Sequence, residues 1–277
     1  MINNFEDKTV IITGGSEGVG AATARRFAAA GANLVLVART RKKLDQIADE
    51  LTGQARVLTV RMDVSDADAC VGLFKKAMLE FGAVHVLVNN AGYHKRGSVA
   101  DIDILDLGMM IDVNLKAPII LCRLAIPYIK ESGGGAIINV ASLAGRAPIP
   151  AAATYSASKI GLRSFTFALG DELRGSGIKL AAVSPGPIDT GFIMSNIDNV
   201  ADITFSQPMS TGDDVAEEIL KLCGNDKRER SMPPISGFLT TISYLFPAVG
   251  RLLRPLLDAR GRRVKKRLKA AMAAEND

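Results

Sequence analysis

Tyr155 and Lys159 lie four residues apart, and Ser142 precedes the tyrosine by thirteen. On a helix, side chains at that spacing stand on one face, so a phenol and an ammonium would address the same small volume. An isolated phenol has a pKa of about 10, and a neighbouring cation favours its ionised form and lowers that value. The pair could then shuttle a proton near neutrality. Ser142 follows the apolar run Ala136-Ile137-Ile138-Asn139-Val140 at the end of a strand, where its hydroxyl could hold a carbonyl oxygen while Tyr155 protonates it. Tyr-x-x-x-Lys is also a common helix-surface pair, so its meaning depends on the elements around it.

Those elements start with Thr9 to Thr13, a β-branched run that stops at Gly14-Gly15-Ser16-Glu17-Gly18-Val19-Gly20, before the helix formers Ala21 to Ala30. Strand, glycine turn and helix in that order aim free backbone N–H groups at a phosphate. Gly14, Gly18 and Gly20 permit a tight turn and close approach of a pyrophosphate, although glycines also simply close turns. A second strand, Asn33 to Ala38, ends at Arg39, where a cofactor with a free ribose 2′-hydroxyl would call for an acidic residue. A guanidinium suits a 2′-phosphate instead, which favours NADP over NAD. The cations Arg41, Lys42 and Lys43 fit the start of a solvated helix.

Helix Arg41 to Leu51, strand Ala55 to Arg61, helix Asp66 to Phe81, strand Val84 to Val88 and a helical region from Ile102 to Glu131 come next. Strand Ala136 to Val140, the helix bearing Tyr155 and strand Ile178 to Val183 complete the alternation. Such an order predicts right-handed crossovers and one doubly wound parallel sheet of the α/β class. Strand ends carry the chemistry in such sheets. Asp63 and Val64 could contact an adenine or form an Asx turn, and Asn89-Asn90-Ala91-Gly92 would let backbone approach a ligand. Asn114 is a polar residue within an apolar helix face and needs a backbone or water partner. His94 reads as a loop residue near the mouth rather than a base, and His85 as a strand-edge residue.

Of 277 residues, 48% are hydrophobic, ample for a packed core. Cys70, Cys122 and Cys223 have no metal-ligand spacing and read as reduced core thiols of a cytoplasmic protein. The N-terminal residues lack the pattern of a signal peptide, and no apolar stretch reaches roughly 18 residues. The net charge of +5 is local: from Arg251 onward nine basic residues meet only Asp258, Glu275 and Asp277, leaving about −1 for the rest. A nucleic-acid footprint over the body is therefore not expected.

Taken together, the glycine loop, Asn89-Asn90-Ala91-Gly92, Asn114, Ser142, Tyr155-x-x-x-Lys159 and Pro185-Gly186 closely resemble the short-chain dehydrogenase/reductase family over residues 7 to about 225. The resemblance implies a Rossmann-type sheet binding NADP(H), with Ser16 and Val19 in the cofactor loop beside Gly14, Gly18 and Gly20. It implies Tyr155 as general acid/base, Ser142 as the holder of the substrate oxygen, and Lys159 lowering the tyrosine pKa and binding the nicotinamide ribose. Asn114 would anchor a relay water, Asn90, Ala91, Gly92, Asp63 and Val64 would contact the cofactor, and Arg39 would meet a 2′-phosphate. Pro185, Gly186 and Thr190 match positions near the nicotinamide. No metal is implied, and homodimers or homotetramers are common in the family.

A single domain over residues 1–230 is expected, with a substrate lid at 186–210 whose Phe192, Ile193, Met194 and Phe205 hint at an apolar keto substrate or merely pack the lid. Thr211 to Asp214 reads as a capping box restarting a helix. Residues 231–277 read as an apolar stretch, then a basic amphipathic helix with Leu253, Leu257, Val264 and Leu268 as its stripe. That helix could lie on the anionic inner face of a membrane through 251–269, or dock on the enzyme body or a partner subunit. The expected activity is NADPH-dependent interconversion of a carbonyl and a secondary alcohol. The competing reading is a membrane-recruited NADPH-binding scaffold.

Overall fold

A computed structural model describes residues 2–194 and 197–274. The lid at 186–210 and the extension at 231–277 are thus described except for 195–196 and 275–277. Strand β1 (Thr9–Thr13) is buried along its whole length and leads into α1 (Gly18–Ala29). Then follow β2 (Asn33–Ala38), α2 (Arg41–Glu50), β3 (Val57–Arg61), α3 (Ala67–Phe81) and β4 (Val86–Asn89). Helix α3 starts where the Asp66 carboxylate accepts the N–H groups of Asp68 and Ala69, and it stops at Gly82 with φ +73°. The run read as one helix from Ile102 to Glu131 is α4 (Ile104–Ile111) and α5 (Ala117–Glu131), joined by a π-turn over Asp112–Lys116.

Strand β5 (Gly135–Val140), α6 (Ala153–Glu172) and β6 (Ile178–Pro185) follow. The segment expected to be a lid holds β7 (Ile188–Asp189), the single turn α7 (Gly191–Met194) and short 3₁₀ turns, up to β8 (Ser210–Thr211). The expected capping box is present: Thr211 and Asp214 exchange side-chain and backbone hydrogen bonds at the start of α8 (Gly212–Gly224). Then come β9 (Glu229–Met232), α9 (Pro234–Leu245) and α10 (Pro247–Ala274).

Seven parallel strands form the central sheet in the order β3-β2-β1-β4-β5-β6-β9, the doubly wound arrangement expected. Alternation along each strand feeds two cores. Val10 and Ile12 face the side covered by α1 and α8, whereas Ile11 faces the side covered by α3 and α5. The seventh strand was not readable from its sequence, since Glu-Arg-Ser-Met has no apolar run. It is held at the sheet edge by a half-buried ionic knot. Glu229 accepts hydrogen bonds from Arg146, from Arg163 at 2.8 and 2.9 Å, and from the Ser184 hydroxyl at 2.7 Å. Burial pushes this carboxyl up, but the hydrogen bonds from Arg163, Ser184 and Arg146 outweigh it and hold the pKa below the usual value.

The basic stripe of α10 packs on the enzyme. Val264, Leu268 and Met272 cover the lid cluster of Ile193, Ile197, Val200 and Phe205. Lys265 donates to the carbonyls of Asp198 and Val200, and Lys269 pairs with the Asp198 carboxylate at 2.6 Å. Gly261 lies against the Asp202 carbonyl, where a Cβ would collide. Among the alternatives for that stripe, docking on the body accounts for Val264 and Leu268. Neither is free to meet a membrane.

Candidate active site

The glycine loop after β1 is closed by the end of β4. Thr13 Oγ1 accepts the N–H groups of Asn90 and Ala91, both at 3.0 Å, and Asn90 Nδ2 donates to the Thr13 carbonyl at 2.9 Å. Gly14 has φ +65° and Gly18 φ +53°, conformations that favour glycine. A Cβ at Gly14 would stand 2.8 Å from Asn90 Nδ2, and one at Gly20 would strike the Gly14 carbonyl. At the start of α1 the Glu17 side chain makes no capping bond and pairs instead with Lys43. The uncapped helix start beside this tight loop fits a pyrophosphate.

The loop opens on a cleft of about 1350 Å³ that runs the length of the strand ends. Gly14, Ser16, Gly18, Val19, Arg39, Asp63, Val64, Asn90, Ala91, Gly92, Pro185, Gly186 and Thr190 all line it, as do Ser142, Tyr155 and Lys159. Gly20 and Asn114 lie behind its wall. Arg39 is 3.9 Å from Asp63, whose other oxygen accepts from the Ser65 N–H at 2.9 Å and hydroxyl at 2.7 Å. Asp63 therefore makes the Asx turn and still faces the cleft. Thr190 sits over Gly18, joining lid to loop.

At the inner end, β5 delivers Ser142 and α6 presents Tyr155 and Lys159 one turn apart. The Ser142 hydroxyl lies close enough to the Tyr155 phenol to favour its ionised form, while its Oγ accepts the Ala144 N–H at 3.1 Å. Lys159 is buried, its Nζ donates to the Val140 carbonyl at 2.9 Å, and it lies 5.8 Å from the tyrosine ring. Burial lowers its pKa to about 8. The expected lowering of Tyr155 does not appear. Burial dominates and raises its pKa, with the Ser142 hydroxyl and the Arg96 charge pulling the other way. A phenol held in that way stays protonated and ready to donate.

The Asn114 side chain is tied to the chain that borders the site. The π-turn points its amide at the chain before the site: Oδ1 accepts the Tyr93 N–H at 2.8 Å, and Nδ2 donates to the Tyr93 carbonyl at 2.8 Å and to Ser158 Oγ at 3.2 Å. The next residue, His94, stacks on Tyr155 with ring centroids 4.0 Å apart. Burial, with Arg96 and Lys159 nearby, pushes His94 down to about 3, so it is neutral and no base. Arg96 lies over the Phe192 ring at 5.5 Å and donates to the Phe192 carbonyl at 3.1 Å. The Arg96 contact and the histidine stack had no local sequence signal. Leu239, Ile242, Leu253 and Leu257 of α9 and α10 line the outer part of the cleft together with Thr240, Ser243, Arg251 and Arg254.

Residues 8–201 match the family described as short chain dehydrogenase. The chain is a short-chain dehydrogenase/reductase. Sulfoacetaldehyde reductase 2 of Chromohalobacter salexigens is 38% identical over 187 residues, covering 67% of this chain and 74% of the relative. An uncharacterized oxidoreductase of Staphylococcus aureus (strain USA300) is 32% identical over 214 residues, 77% of this chain and 90% of its own. Among solved structures, one described as a short-chain alcohol dehydrogenase from Sinorhizobium meliloti 1021 superposes with a TM-score of 0.72 at 28% identity, covering 79% of this chain and 90% of that one. As a member of this family the protein is an oxidoreductase that uses a nicotinamide cofactor on small-molecule alcohol and carbonyl groups. The family match ends at residue 201, short of α9 and α10. Among the described residues no helix is long and apolar enough to cross a membrane.

Proposed function

We propose that this enzyme reduces the carbonyl of an apolar substrate, of lipid or steroid size, with NADPH. The single observation carrying the reading is the convergence of Ser142, Tyr155 and a buried Lys159 at the inner end of one cleft. Bound nicotinamide supplies the hydride. Ser142 holds the carbonyl oxygen and Tyr155 gives it a proton as negative charge develops there, so that charge does not accumulate. Lys159 holds the inner end of the cofactor, and Asn114 fixes the loop whose His94 backs the phenol. Gly14, Ser16, Gly18, Val19, Asn90, Ala91 and Gly92 would hold the pyrophosphate and ribose, with Asp63 and Val64 toward the base and Pro185, Gly186 and Thr190 toward the nicotinamide.

NADPH is favoured because Arg39 stands exposed where β2 meets the cleft, with no closer anion than Asp63. The apolar substrate follows from Leu239, Ile242, Leu253 and Leu257 in the outer part of the cleft. A homodimer or homotetramer and a peripheral place on the cytoplasmic side of a membrane belong to the same reading. Initial rates over a series of methyl ketones should rise in kcat/KM with chain length. NADPH should be preferred to NADH, and Arg39→Ala should cut that preference about 10- to 100-fold, as expected for losing a charged hydrogen bond. Indifference of the wild type to both chain length and the 2′-phosphate would overturn the reading.

A further inference from the structure

Ten of the eighteen large apolar side chains that stand exposed among the described residues fall between Ile235 and Leu256. Scattered exposed leucines need no explanation, but a run of this kind on α9 and the start of α10 marks an interaction surface. Along α10, Val249, Leu252, Leu256, Arg260, Arg263 and Arg267 succeed one another at steps of three or four residues. They therefore share one helix face, apolar at the α9 end and cationic beyond it. The lid-bound Gly261, Val264, Lys265 and Leu268 occupy the other side.

This outer face has no anion of its own. Arg260, Arg263 and Arg267 are exposed and pair with no described residue, in contrast to Arg262 and Lys265, which reach Asp202. From Pro234 to Ala274 the single acidic residue is Asp258, and Arg254 holds it at 2.9 Å. A second copy of the chain would bring the same cations against these, and like charges repel. An anionic lipid surface complements both ends of the face, acyl chains taking the leucines and phosphates the arginines.

We propose that the α9–α10 elbow docks on an anionic bilayer, with Val249, Leu252 and Leu256 inserted and Arg260, Arg263 and Arg267 on headgroup phosphates. Leu239, Tyr244, Val249 and Leu253 are exposed on this elbow and also line the active-site cleft. The docked face thus borders the cleft mouth. An apolar ketone dissolved in lipid would enter without crossing water, which deepens the reductase reading and rests on it, whereas the docking itself does not.

The test is sedimentation of the full chain with phosphatidylcholine vesicles, with and without phosphatidylglycerol. Binding should require phosphatidylglycerol and weaken with salt. It should fall about fivefold per arginine and roughly a hundredfold in the triple variant Arg260→Gln, Arg263→Gln, Arg267→Gln. Leu252→Glu with Leu256→Glu should abolish it, and Leu79→Glu, an exposed apolar site on α3, should not. A bimane label on Leu256→Cys should shift to the blue only with anionic vesicles. A shift in solution that grows with protein concentration would assign the face to a second copy and overturn the proposal. So would absent binding, or binding that ignores both sets of substitutions. Turnover of a short soluble ketone without vesicles tests the reductase reading by itself and should be unchanged in all these variants.

Discussion

On the inner side of the cleft, the glycine loop and the end of β4 meet through backbone atoms, one threonine hydroxyl and the Asn90 side-chain amide, at 2.9 to 3.0 Å. On the outer side, the lid meets α10 through long cations and half-buried aliphatic side chains. Inner contacts leave no room for a larger residue at Gly14 or Gly20. Outer contacts are exchangeable ion pairs and packing that could be rebuilt for another substrate. The comparison teaches that chemistry is placed where backbone geometry forbids variation, and selectivity where side chains alone decide. Between the two stands Glu229, which ties Arg146 of the segment after Ser142 to Arg163 of α6, while the same Arg146 donates to Thr241 of α9 at 2.7 Å.

The sharpest way to break this contrast is at the inner end. Tyr155→Phe should lower turnover by about 10³-fold, within the range of a lost general acid, and leave NADPH affinity unchanged by fluorescence titration. Wild-type rates in that variant would move the chemistry elsewhere. Removing the seam comes next: Glu229→Ala leaves two half-buried cations without their partner and should cost about 2–3 kcal/mol in urea denaturation. If stability held, inner and outer regions would not be mechanically joined there. On the outer side, Gly261→Val would force α10 off the Asp202 carbonyl and should cost about 1–3 kcal/mol, with turnover of short ketones retained.

A smaller effect should come from pH. Burial sets Lys159 near 8 and raises Tyr155, so below pH 8 both carry their protons and Tyr155 can donate. As pH rises through about 8, Lys159 loses its charge while the phenol is still protonated. Carbonyl reduction should fall across that inflection in a pH–rate profile, and a profile flat to pH 9 would separate Lys159 from the chemistry.

Much of the inner region is legible in the sequence. Thr9–Thr13 and Asn33–Ala38 have the bounds their β-branched runs predicted, because strands buried on both faces are written as continuous apolar segments. The capping box at Thr211 and the cleft positions of Ser142, Tyr155 and Lys159 were readable for the same local reason. Strand β9 was not, because an edge strand held by distant arginines needs no apolar run. Nor were the partners of Asn114: a π-turn adds one residue to a helical turn, and its amide partner Tyr93 is 21 residues away.

Sequence by itself determined the strand-turn-helix order, the glycine loop and the pairing of Tyr155 with Lys159, since each depends on residues within a turn or two of one another. It also showed that α10 would have an apolar stripe and a surplus of cations. Only the tertiary structure decided that Val264 and Leu268 cover the lid while Leu252 and Leu256 stay exposed. Both pairs are apolar and helical, and which one is buried depends on the surface the rest of the chain brings to meet it. The same holds for Tyr155, whose pKa follows its burial beside His94 and Phe192, against the pull of the Arg96 charge, rather than the lysine four residues along.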